Sequence, residues 1–111
     1  MAEKGDQTGQ LNLGLKYAEG YGVKQDYQEA ENWYRLAAGQ GDPTAQANLG
    51  IMYMAGQGVP NDDGEAAKWF SLAAERGNSL AQNNLAFMYA NGRGVTQIYV
   101  NAFVWWDIAA E

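Results

Sequence analysis

The chain has neither cysteine nor histidine among its 111 residues. The first absence rules out a disulfide framework and thiolate chemistry, and leaves the redox compartment open. The second removes the commonest general base and metal ligand. Nucleophilic catalysis would fall to Ser71 or Ser79 with a lysine base, and neither has the Ser-x-x-Lys spacing that some such enzymes use. Basic residues are few: seven Lys and Arg against thirteen Asp and Glu leave a net charge of −6. Seven scattered cations cannot track a phosphate backbone, so nucleic acid is not an expected partner. No apolar run is long enough to span a bilayer, and no signal-peptide pattern opens the chain.

What is present points to a folded array. Hydrophobic residues make up 47% and aromatics 13%, too much for disorder. One pattern recurs three times at an offset of 36 positions. Tyr17, Tyr53 and Tyr89 share a phase, as do Gly20, Gly56 and Gly92, Val23, Val59 and Val95, and Trp33, Trp69 and Trp105. The alanine pairs Ala37-Ala38, Ala73-Ala74 and Ala109-Ala110 complete the register. Self-similarity at a fixed period of this length marks a stacked solenoid, whose extended surface is suited to holding another macromolecule.

Each unit reads as a helical hairpin. Asp42-Pro43 opens a helix, with the carboxylate as cap and proline at the first position, where it loses no hydrogen bond. Asp6 and Asn78 hold the same phase. Gly56 stops the helix as a residue able to take positive φ. A second helix begins at Asp62, where Asp62 with Glu65, like Asp26 with Glu29, has the spacing of a reciprocal capping box. First helices are expected near 6–19, 42–55 and 78–91, and second helices near 26–39, 62–76 and 97–110. The acidic group Asp62, Asp63 and Glu65 could be read as a metal or acid/base site. Its place at a helix start, where the macrodipole favours negative charge, explains it more simply. Gly20-Tyr21-Gly22 follows a helix rather than a strand, which speaks against a dinucleotide loop. No catalytic, metal or cofactor site is expected. The recurring Trp and Tyr residues fit inter-helix packing better than they fit stacking platforms.

The run Ala45-Gln46, Leu49-Gly50, Tyr53, Gly56-Gln57-Gly58-Val59, Asp62, Ala66, Trp69, Ala73-Ala74 and Gly77 resembles the Sel-1-like repeat, a relative of the tetratricopeptide repeat with a slightly longer period. The resemblance covers essentially the whole chain. It implies an all-α, right-handed α/α solenoid of about three antiparallel helix pairs, with repeats near 6–41, 42–77 and 78–111 in one array over 1–111. It also implies a non-catalytic scaffold or adaptor for protein complexes. Gly9, Ala86 and Ile98 depart from the family pattern. Met1-Ala2-Glu3 is in phase with Ala109-Ala110-Glu111, so the chain is expected to be a segment of a longer array. Two rival roles stand beside the scaffold: a repeat region of a larger enzyme or enzyme-regulating protein whose catalytic domain lies elsewhere, and a structural part of a cell-envelope complex. Bacterial envelope and cytoplasm are both open.

By the same resemblance, the residues flanking the Leu-Gly pair face the concave groove. One flank is Asn12, Asn48 and Asn84, and the other is Leu15, Ile51 and Phe87. Asparagine offers donor and acceptor to the backbone of a protein or peptide partner, and the apolar row offers burial. Alternatively, the asparagines bond to neighbouring helices and hold the repeats in register. The last helix has its own signature. Ile98, Val100, Phe103 and Val104 are apolar where earlier copies are polar or small. Terminal repeats normally show a polar outer face, so cover by further chain or a partner, and end-to-end self-association of this segment, are expected; alternatively, loss of the capping Asp shifts the helix start and some of these side chains fold inward.

Overall fold

The computed structural model describes residues 6–93. Five helices of equal length follow one another: α1 Gln7–Glu19, α2 Tyr27–Gly39, α3 Pro43–Ala55, α4 Asp63–Glu75 and α5 Ser79–Asn91. No strand occurs among the described residues. The expected helix at 97–110, with Ile98, Val100, Phe103 and Val104, lies outside them.

Local chemistry sets the boundaries. Asp6, Asp42 and Asn78 cap the first helices, accepting from the amides of Thr8, Ala45 and Ala81. Gly20, Gly56 and Gly92 end them at φ 75°, 70° and 67°, where a side chain would be strained. Asp26 and Asp62 cap the second helices through Oδ1. The reciprocal half of the expected capping box is absent for a simple reason. The backbone amides of Asp26 and Asp62 already donate to the carbonyls of Tyr17 and Tyr53, at 2.9 Å each. These bonds fasten the two helices of each hairpin, and the glutamates are left as first-turn charges.

Each helix packs on the next, and α3 also touches α5 directly. The contact between α3 and α5 sets these first helices of successive repeats side by side. The core is rich in alanine, which lets helix axes approach closely: Ala37, Ala38, Ala73 and Ala74 are all buried. Large side chains fill the remaining space at particular points. A Cβ on Gly14 would fall 2.5 Å from the Tyr34 ring, and one on Gly50 would fall 2.6 Å from the Phe70 ring. The glycine of the Leu-Gly pair is thus the seat for an aromatic of the second helix. The central aromatics are therefore Tyr34 and Phe70, at 3% and 0% exposure, rather than Trp33 and Trp69, which are half-buried. Trp69 packs on the cluster shared by α2 and α3. Its indole Nε1 is buried without a partner among the described residues.

Candidate binding groove

The expected groove residues all lie on the first helices. On α1, Asn12 and Leu15 are exposed; on α3, Asn48 and Ile51 are half-buried; on α5, Asn84 is half-buried and Phe87 exposed. A cleft of about 290 Å3 between α1 and α3 is lined by Leu15, Asn48 and Ile51, with Tyr27, Tyr34, Met52, Glu19, Gln25 and Gln57 among its walls. A wider, open depression of about 630 Å3 on α1 includes Asn12 and Leu15. Leu15 borders both, so Asn12, Leu15, Asn48 and Ile51 form one continuous surface. Asn84 and Phe87 border neither and stand one repeat further along.

The side-chain amides of Asn12, Asn48 and Asn84 make no hydrogen bond among the described residues. A different amide row ties one repeat to the next. Gln10, Gln46 and Gln82 share a phase and are buried at 0%, 3% and 4% exposure. Gln46 Nε2 donates to the Ala38 carbonyl at 3.2 Å, and Gln82 Nε2 to the Ala74 carbonyl at 3.1 Å. Each bond joins a first helix to the end of the preceding second helix. Gln10 accepts from Gln40 Nε2 at 2.7 Å. Sequence reasoning passed over these glutamines although their phase is unbroken. Amphipathic spacing draws attention to apolar residues, and a buried amide leaves no trace in it.

Charge is unevenly placed on this surface. Neither α3 nor α5 contains an Asp, Glu, Lys or Arg, and α1 contributes Lys16 and Glu19. The acidic group at the start of α4 has structural uses. Asp62 caps, and Asp63 accepts two bonds from Arg93 at 2.9 and 3.1 Å. The Arg93 hydrogen bond holds the Asp63 carboxyl below its ordinary range. No group of three His, Cys, Asp or Glu residues suited to a metal ion occurs among the described residues. Burial, and then the nearby Glu19 carboxylate, push the Tyr34 phenol up to about 12. No described helix is long and apolar enough to cross a membrane.

Stacked antiparallel helix pairs define a class, the α/α repeat fold. The Sel1 repeat matches residues 8–42, 43–78 and 79–111, and the chain belongs to this family. Sel1 repeat proteins are generally protein-interaction scaffolds. Two solved structures show the same architecture. One is c5321, described as a protective antigen present in uropathogenic Escherichia coli strains and displaying an SLR fold. It is 47% identical over 94% of this chain, with a TM-score of 0.92. The other is a Sel1 repeat protein from Oxalobacter formigenes, 34% identical over 96% of the chain, with a TM-score of 0.94. The chain spans 22% of the first protein and 44% of the second. No curated protein is matched.

Proposed function

We propose that the chain is a non-catalytic, peptide-binding part of a protein-interaction scaffold, and that Asn12, Asn48 and Asn84 meet the backbone of an extended partner. Leu15, Ile51 and Phe87 bury its apolar side chains. One observation carries the reading: the asparagine amides form no bond within the described protein, while the glutamine row joins the repeats. An amide freed from structural duty, and repeated at the spacing of the stack, suits a ligand that runs along the stack. Panning a random peptide library on the chain, then mapping the selected peptide by NMR, tests this. Perturbed side-chain amide signals at Asn12, Asn48 and Asn84 are the expected result. A selected peptide that perturbs only residues on α2 and α4 would place the partner on the outer face and refute the proposal.

A further inference from the structure

The surface of the first helices changes character along the stack. The charged residues of its two hollows are Asp6, the cap of α1, with Lys16 and Glu19 on α1, and they do not share one hollow. Lys16 borders the wide depression, whereas Glu19 lines the cleft between α1 and α3. Glu19 is the sole charged residue of that cleft, whose other walls are apolar side chains, tyrosines and amides. It is exposed and forms no ion pair among the described residues.

The following repeat contains a related construction with several residues exchanged. Gln25 Nε2 donates to the Ala18 carbonyl at 2.8 Å and to the Tyr27 hydroxyl at 3.2 Å. One period later, Asn61 Nδ2 donates to the Met54 carbonyl at 2.7 Å and to Asp63 Oδ1 at 3.3 Å. Asp63 thus takes the place of Tyr27, and Arg93 the place of Gln57. In this later copy the Arg93 guanidinium bridges to Asp63. The chain supplies its own cation there. In the earlier copy the neutral Gln57 stands at the arginine position and Tyr27 at that of the acid, while Glu19, whose counterpart in the later copy is Ala55, lies unpaired in an open cleft.

We propose that the cleft between α1 and α3 receives an arginine side chain carried by a segment of another protein, its guanidinium meeting Glu19 and the ring of the half-buried Tyr27. The proposal rests on the groove reading above and adds the chemistry of one partner residue. The arginine stem packs on Leu15, Ile51 and Met52, and the planar head pairs with a carboxylate and stacks on an aromatic ring. Asn48 and Gln57 stand in the same walls as acceptors for N–H groups that the carboxylate leaves unbonded. A net charge of −6 adds long-range attraction for a basic segment.

The test is an NMR titration of the full chain with the peptide acetyl-Ala-Ala-Arg-Ala-Ala-amide, run against the same peptide with citrulline, the uncharged isostere, at the centre. The arginine peptide is expected to shift the signals of Leu15, Glu19, Tyr34 and Ile51, and to bind about fivefold more tightly than the citrulline peptide. Glu19→Gln should erase that preference. The residue is exposed and ends a helix, where negative charge opposes the macrodipole, so the variant keeps its fold. Gln57→Arg, which places a resident cation in the wall of the cleft, should also weaken the arginine peptide. Equal binding of the two peptides, with shifts at Asn12 and Asn48, would sink the arginine site and leave the asparagine groove standing. Binding of neither peptide, or an arginine preference unchanged in Glu19→Gln, also overturns the site, while library panning judges the groove separately.

Discussion

Substituting Gly50 by alanine adds one methyl group at the most crowded point of the stack. The new Cβ would lie 2.6, 2.7 and 2.9 Å from three atoms of the Phe70 ring. Carbon atoms prefer about 3.5–4.0 Å, so ring and helix must separate by roughly 1 Å. Phe70 is 0% exposed and held among Ala47, Ala66, Leu85 and Met88, which leaves no free direction of retreat. Overpacking of this kind costs about 1–3 kcal/mol, and full enclosure puts the cost in the upper part of that range. Alanine in a helix interior returns about 1 kcal/mol relative to glycine. The net expectation is a loss of about 1–2 kcal/mol, read in thermal unfolding as a fall of roughly 5–10 °C. Gly39 supplies the control. It ends α2 on the surface, and nothing lies within 4 Å of an added Cβ. Gly39→Ala should leave stability unchanged or raise it slightly. A cycle with Phe70→Leu is expected to show coupling, since the smaller side chain makes room for the methyl group. If Gly50→Ala unfolds at or above the temperature of Gly39→Ala, the glycine–aromatic seat does not hold the hairpin together.

Three further outcomes follow from the packing, the ionisation and the sequence pattern. Phe70→Ala should cost about 3–5 kcal/mol in denaturant unfolding, and Trp69→Ala less, because only the first side chain is fully enclosed; the reverse order would place Trp69 at the centre of the core. The contribution of Tyr34 to stability should be level below pH 10 and fall between pH 10 and about 12, because unfolded Tyr34 releases its proton near 10.0 while the folded phenol retains it to about 12. Tyr34→Phe should remove that part of the alkaline loss, and an unchanged profile would contradict the assignment. Sedimentation at high concentration should show self-association that Phe103→Glu abolishes; a clean monomer, unaltered by the substitution, would remove the terminal apolar face from consideration.

Much of this architecture was legible in the sequence because the devices that make it are local. A cap such as Asp42 before Pro43, or a positive-φ stop such as Gly56, declares itself within a few residues, and five described helices begin and end within one residue of the spans expected from such signals. The aromatic seats were less legible. Gly50 and Phe70 are twenty positions apart, and their partnership depends on which face of α4 turns toward α3. Trp69 and Phe70 are adjacent and both apolar, so period alone could not say which one is enclosed. The candidate site was legible only as a row. Nothing in the spacing of Asn48 distinguishes an amide that bonds a neighbouring helix from one that does not. The contrast emerged from Gln46, two positions earlier, which reaches the Ala38 carbonyl. The self-association expected at Ile98, Val100, Phe103 and Val104 rests on sequence pattern alone.

The central claim is a division of labour between two amide rows, in which glutamines join the repeats and asparagines are left for a partner. It is tested most directly by replacing Asn12, Asn48 and Asn84 together with alanine, and measuring both the unfolding temperature and the affinity for a library-selected peptide. Alanine is the better helix former, and the lost amides make no bonds within the described protein, so the variant should unfold within a few degrees of the parent or above it. Loss of several intermolecular hydrogen bonds, each worth about 0.5–1.5 kcal/mol, should weaken the peptide by at least tenfold. A triple variant that binds the peptide as the parent does, or that unfolds far below it, would contradict the account.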